Sequence, residues 1–202
     1  VAALVRGWGG EPTLFDIARD DAALIENRIA AGAQHDLLIT LGGASVGDHD
    51  LVQAALKAQG FSMDFWRIAM RPGKPLMFAA KDRARVLGLP GNPVSTMICA
   101  LLFLKPAMER MLGQPGDLVA TQPARLAVDL KQNDQREDYV RSTLTRAADG
   151  ALIVEPHPVQ DSSMLSVLAH ANGLLVRPAH DPARTKGETV QIVDLATLPG
   201  GY

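Results

Sequence analysis

Apolar positions along this chain fall into two textures. Up to about residue 113, short apolar runs alternate with longer stretches of helical spacing. Residues 13–18 and 36–41 read as buried strands. Between them Asp20-Asp21 open a helix to about residue 31, with carboxylates at its positive end. A helix over about 50–59 closes at Gly60. Residues 61–70 read as a strand broken by Arg71-Pro72-Gly73-Lys74-Pro75, and 76–80 with 85–89 as a hairpin-like pair. Pro90-Gly91-Asn92-Pro93 then starts a long apolar helix ending near Gly113. Strands alternating with helices predict an α/β domain, three layers around a mostly parallel sheet.

Beyond Gly113-Gln114-Pro115-Gly116 the spacing shortens. Residues 124–130, 139–145, 151–156, 173–176 and 190–193 read as strands, and only 163–169 as helix. That is the rhythm of a small all-β barrel or sandwich. The expected domains are 1–116 (α/β) and 117–202 (barrel). Val1-Ala2-Ala3-Leu4-Val5 reads as a helix already in progress before Gly7-Trp8-Gly9-Gly10, so the chain is expected to be the later part of a longer protein.

Composition narrows the function classes. The 202 residues are 47% hydrophobic, enough for a packed core, and the net charge of -2 provides no global basic field for nucleic acid or anionic membrane. Any bound anion needs a local site. Cys99 is the only cysteine, so neither an intrachain disulfide nor a thiolate zinc site can form, and it reads as a buried thiol in a reduced, cytoplasmic setting. The longest apolar run, 97–104, is far short of the ~20 residues a membrane helix needs, and no signal peptide is visible.

Three loops carry the chemistry. Gly42-Gly43-Ala44-Ser45-Val46-Gly47-Asp48-His49-Asp50 joins a strand to a helix, where glycines expose N–H donors beside a helix N-terminus. One such loop alone is equally a plain β–α turn. Leu89-Pro90-Gly91-Asn92-Pro93-Val94-Ser95 is a second strand-to-helix loop, with Asn92 suited to the cap and Pro93 to the first turn. Both would lie at the carboxyl edge of the sheet, where open α/β sheets bind ligands. Arg71-Pro72-Gly73-Lys74-Pro75 adds two cations on a proline-stiffened turn near that edge. Asp20, Asp21, Asp48 and Asp50 also follow strand ends, and a hard cation such as Mg²⁺ would make sense of carboxylates beside anion loops. Gly43-Ala44-Ser45-Val46-Gly47 spells a nucleophile elbow, but His157, His170 and His180 fall in the all-β part, which disfavours a serine hydrolase using Ser45.

The order and separation of these three loops resemble the molybdopterin molybdenumtransferase family, MoeA-type proteins related to the C-terminal domain of gephyrin. Arg136-Glu137-Asp138-Tyr139-Val140-Arg141, Ser162-Ser163-Met164-Leu165-Ser166 and Ala171-Asn172-Gly173-Leu174 resemble that family's C-terminal barrel. The resemblance implies insertion of molybdate into adenylylated molybdopterin, with Mg²⁺-dependent release of AMP. It implies that Gly42, Gly43, Ser45, Gly47, Pro90, Gly91 and Asn92 shape the pterin-phosphate site. Arg71, Lys74, Ser95, Arg136 and Ser162 would hold molybdate, a tetrahedral dianion that suits cationic and hydroxyl donors. Asp50 and Asp20 would position Mg²⁺ or the reacting phosphate, with Lys74 acting beside them. The family's usual Gly-Asp-Glu-Leu strand and two preceding domains are missing from these 202 residues, so the isolated piece is expected to be inactive or incompletely folded, and the full-length protein a homodimer. A non-catalytic pterin-binding or scaffold module on the same fold is the alternative. Taken alone, Arg136 and Arg141 read as surface cations on a barrel strand.

Overall fold

A computed structural model describes residues 1–43 and 51–197. Helix α1 (Ala2–Gly7) is followed by α2 (Ala22–Gly32), whose N-cap Asp21 accepts the Leu24 N–H at 2.8 Å. Strand β1 (Leu38–Leu41), helix α3 (Leu51–Ala58) and strand β2 (Ser62–Phe65) come next. A two-residue strand β3 (Met70–Arg71) precedes β4 (Met77–Lys81) and β5 (Ala84–Leu89). Helix α4 (Pro93–Cys99) runs through a π-helical turn, Ala100–Leu104, into α5 (Lys105–Met111). Pro106 has no N–H for the carbonyl four residues back, and the widened turn before it accommodates its ring.

The first sheet has the order β1-β5-β4-β2. Side chains alternate between its faces as strand geometry requires. Val86, Met77 and Ala79 pack with Ile25, Ile29 and Leu56 under α2 and α3. Leu87 and Leu89 pack with Val94, Ile98 and Leu104 on the other face, completing the expected three layers. Among the described residues the sheet is mixed rather than mostly parallel. Only β1 and β5 run parallel, whereas β4–β5 and β2–β4 are antiparallel. The two-residue turn Asp82-Arg83, with Asp82 at φ 50, enforces the β4–β5 hairpin.

Two other expected strands differ. Residues 13–18 join no sheet among the described residues and leave Leu14 73% and Ile17 90% exposed. The run over 61–70 divides, because β2 pairs with β4 while β3 crosses to the second half of the chain. There β6 (Gln122–Leu126), β7 (Glu137–Arg146), β8 (Leu152–Pro156), helix α6 (Leu165–Ala169), β9 (Gly173–Arg177) and β10 (Thr189–Asp194) follow. The order β7-β8-β6-β10-β9 closes on itself through β7–β9, giving the expected small barrel. Its interior holds Leu126, Val154, Leu175 and Ile192. The halves also share packing: Leu168, Leu174, Val193 and Leu195 belong to the same core as α4 and α5. Among the described residues no helix is long and apolar enough to cross a membrane.

Candidate functional site

The site begins where β3 leaves the α/β half. Met70 and Arg71 pair in parallel with Glu137 and Asp138 of β7, which aligns Arg71 with a barrel carboxylate. The turn that follows folds back so that the Ile68 N–H donates to the Lys74 carbonyl at 3.0 Å. Gly73 sits at φ +120, and a Cβ there would lie 2.5 Å from both Cys99 Sγ and Met70 Cε, so the turn needs glycine. Burial pushes the Cys99 thiol up to about 12, keeping it protonated and unreactive beneath the turn.

A cavity of about 370 Å³ opens beside this turn. Arg71, Lys74, Ser95, Arg136 and Ser162 all line it, with Pro90, Gly91 and Asn92 on the wall formed after β5. Four segments far apart in sequence therefore deliver two guanidiniums, one ammonium and two hydroxyls to one space. A second cavity of about 590 Å³ shares Lys74 and Arg136 and is also lined by Arg67, whose guanidinium lies 3.6 Å from the Trp66 ring centroid.

Two carboxylates not anticipated from the sequence face these cations. Asp138, buried on β7, accepts a hydrogen bond from Arg71 Nη2. Asp134 Oδ2 accepts from Arg71 Nη1 at 3.1 Å and from Arg136 Nη2 at 3.2 Å. The Asp138 hydrogen bond, helped by the charges of Asp138 and Asp134, holds the Arg71 pKa above its ordinary value despite partial burial. The Arg136 backbone N–H and guanidinium, together with the charge of Arg71, hold Asp134 below the usual carboxylate range. Lys74 is exposed and has no salt-bridge partner among the described residues.

The walls are held from behind. Thr96 Oγ1 donates to the Pro90 and Asn92 carbonyls, fixing the loop after β5. Asn92 occupies the N-cap position of α4, but its side chain makes no capping bond and its Oδ1 is buried without a partner beside the cavity. Arg141 is 1% exposed, so it is not a surface cation. Its Nε donates to Gln160 Oε1 at 3.2 Å and its Nη1 to the Asp161 carbonyl at 3.1 Å, while Gln160 Nε2 returns a bond to the Arg141 carbonyl at 3.0 Å. These bonds fasten the loop that brings Gln160 and Ser162 to the cavity. Neither Thr96 nor Gln160 carries a sequence signal, and nothing local to Asp138 marks it as the partner of Arg71.

The glycine loop behaves differently from its expectation. Gly42 and Gly43 lie at φ +79 and +72, but the Gly42 N–H donates to the Leu89 carbonyl at 3.0 Å and so continues the β1–β5 ladder instead of facing an anion. Gly42 meets the other loop closely: a Cβ on Gly91 would lie 3.3 Å from Gly42 Cα. Ser45, Gly47, Asp48 and Asp50 lie outside the described residues. Asp20 is exposed and lines neither cavity, and no group of three metal-ligating side chains occurs among the described residues. Two of the three histidines a hydrolase could draw on are engaged in the barrel half: His157 Nε2 lies 3.3 Å from Thr143 Oγ1, and His170 Nδ1 2.7 Å from the Ser166 carbonyl.

Fold and site together define a small-molecule-binding α/β protein whose cationic cavity is completed by a barrel. Residues 1–110 match the family model described as "Probable molybdopterin binding domain", and residues 123–195 match "MoeA C-terminal region (domain IV)". The chain belongs to this MoeA-type molybdopterin-binding family. It is 34% identical over 173 residues to the molybdopterin molybdenumtransferase of Haemophilus influenzae, covering 85% of this chain and 43% of that protein. It is likewise 34% identical over 203 residues to the protein of the same name from Nostoc sp., covering 96% of this chain and 46% of the relative. The chain thus spans less than half the length of these relatives. Among solved structures it resembles a molybdenum cofactor biosynthesis protein from Pyrococcus furiosus, with a TM-score of 0.68 and 25% identity over 95% of this chain and 61% of that one. It shares the fold of a moeA protein from Pyrococcus horikoshii, with a TM-score of 0.69 and 23% identity over 95% of this chain and 44% of that one.

Proposed function

We propose that this chain is the pterin- and oxyanion-binding part of a molybdopterin molybdenumtransferase, with 1–116 as its α/β domain and 117–202 as its barrel domain. The observation that carries the proposal is the convergence of Arg71, Lys74, Ser95, Arg136 and Ser162 on one cavity from both halves of the chain. A pure scaffold has no need of that set. In this proposal the guanidiniums of Arg71 and Arg136 present paired N–H donors to molybdate, Lys74 supplies a point charge, and the hydroxyls of Ser95 and Ser162 donate to remaining oxygens. Pro90, Gly91 and Asn92 form the wall toward the pterin phosphate, and the unpartnered Asn92 Oδ1 provides an acceptor for a pterin N–H. Gly42, in close approach to Gly91, and Gly43 would extend that wall by backbone shape, and the resemblance adds Ser45 and Gly47, which lie outside the described residues.

An Mg²⁺ ion held by Asp50 and Asp20 is not supported by the described residues. Asp20 reaches neither cavity, and Asp134 and Asp138, the carboxylates beside the cavity cations, are engaged by Arg71 and Arg136.

Two measurements test the proposal. Calorimetric titration of the chain with molybdate is expected to show saturable binding that Lys74→Ala weakens. The longer protein containing this chain, supplied with adenylylated molybdopterin, molybdate and Mg²⁺, is expected to release AMP. Absence of release, with Lys74→Ala indistinguishable from wild type, would refute the transferase assignment.

A further inference from the structure

We propose that Asp134 is an internal competitor for the oxyanion, an affinity-setting residue whose carboxylate occupies Arg71 and Arg136 and yields them when the cavity fills. The proposal rests on the oxyanion role given above for that cavity. Asp134 Oδ2 bridges Arg71 Nη1 and Arg136 Nη2 at 3.1 and 3.2 Å, taking donors that a bound oxyanion would use. Its side chain is 45% exposed, so it can rotate into water without being stranded in an apolar environment.

The backbone beneath it is fixed. The Asp134 carbonyl accepts the His180 N–H at 2.7 Å. The neighbouring Asn133 is buried and donates through Nδ2 to the carbonyls of Arg136, Arg177 and Pro178. Asp134 therefore combines an anchored chain with a solvent-accessible head. Asp138 contrasts with it, because its carboxylate is only 10% exposed and stays with Arg71. With Asp134 turned outward, Arg71, Lys74 and Arg136 face one buried carboxylate among the described residues, a charge balance suited to a tetrahedral dianion. With Asp134 in place, half of that advantage is cancelled and a bound anion can leave more easily.

The test compares molybdate binding by the wild-type chain, Asp134→Asn and Asp134→Ser by calorimetry at constant ionic strength. Both replacements keep an oxygen able to accept the Arg136 N–H, which Asp134 Oδ1 accepts at 2.9 Å, so the local turn is preserved. Both are expected to bind molybdate about three- to tenfold more tightly, the range that two half-exposed ion pairs support. Equal or weaker binding, in a variant with the wild-type thermal midpoint, overturns the proposal, since a merely structural Asp134 predicts that result. The wild type supplies a second readout that does not depend on a variant folding. In protein labelled with ¹³C at the aspartate carboxyls, saturating molybdate is expected to shift the Asp134 signal, and a signal that stays in place overturns the proposal. Molybdate binding with unchanged affinities would remove this proposal and leave the oxyanion site standing. No binding to any of the three proteins would remove both.

Discussion

Asp138 grips Arg71 from inside the barrel while the rest of the Arg71 side chain, 46% exposed, faces the cavity. The parallel pairing of β3 with β7 puts the two residues opposite each other, so one contact joins the two halves and aims a cation. Asp138→Asn removes the charged acceptor and is expected to cost about 1–3 kcal/mol of stability in urea unfolding. Asp134→Asn, at the exposed partner, is expected to leave the unfolding midpoint near wild type. Equal losses from both would show that Asp138 has no special role in joining the halves.

Lys74 tests the cavity's charge with the least structural disturbance, because it is exposed and lacks a salt-bridge partner among the described residues. Lys74→Ala is expected to weaken molybdate binding about tenfold, in line with loss of one charge-assisted hydrogen bond, and to leave the thermal midpoint unchanged. Calorimetry and a melting curve on the same sample decide the matter.

Arg141 acts through the loop it fastens. Burial lowers its pKa, with the charge of Asp161 opposing, and its bonds to Gln160 and Asp161 compensate for the cost of placing a guanidinium there. Arg141→Met is expected to lose about 2–4 kcal/mol. It is also expected to weaken molybdate binding, because Gln160 and Ser162 lose their anchor. Arg141→Lys should not rescue binding, since one ammonium cannot reproduce the spread of the guanidinium donors. Full rescue by lysine would contradict this account.

Acid sensitivity should report on Asp181. Burial alone would raise its pKa, but hydrogen bonds from Arg184 Nη2 at 2.6 Å and Arg177 Nε at 2.5 Å, together with both positive charges, bring it below the ordinary value. A carboxyl depressed in the folded state contributes stability that is fully present above its unfolded pKa of about 3.9 and is lost as pH falls through the folded value. Wild-type stability is therefore expected to decline below about pH 4, and Asp181→Asn to flatten that decline. At neutral pH Asp181→Ala is expected to cost about 3–5 kcal/mol, because Arg177, 6% exposed, is left buried without its carboxylate. A pH-stability curve for wild type and both variants checks sign and size.

Local signals were well preserved in the fold. Asp21 caps α2, Gly60 and Gly113 sit at positive φ at the ends of their helices, and the barrel strands begin within two residues of the expected positions, except that β7 runs through Arg146 and β6 stops at Leu126. What misled was apolar content without knowledge of a partner. Residues 13–18 are apolar enough for a strand yet pair with no strand among the described residues, and 61–70 serve two sheets. Glycines in the loop after β1 pointed to free N–H donors, but Gly42 gives its N–H to Leu89.

By itself the sequence determined the succession of elements, the lack of a global basic field, and three polar loops with the residue types an oxyanion needs. These follow from spacing, capping chemistry and composition, which are properties of neighbours along the chain. Tertiary structure decided that Arg71, Ser95, Arg136 and Ser162 share one cavity, that Asp138 and Asp134 engage its guanidiniums, and that Arg141 is buried behind it. Those facts depend on the register of β3 against β7 and on barrel closure, where a shift of one residue would turn each side chain to the opposite face.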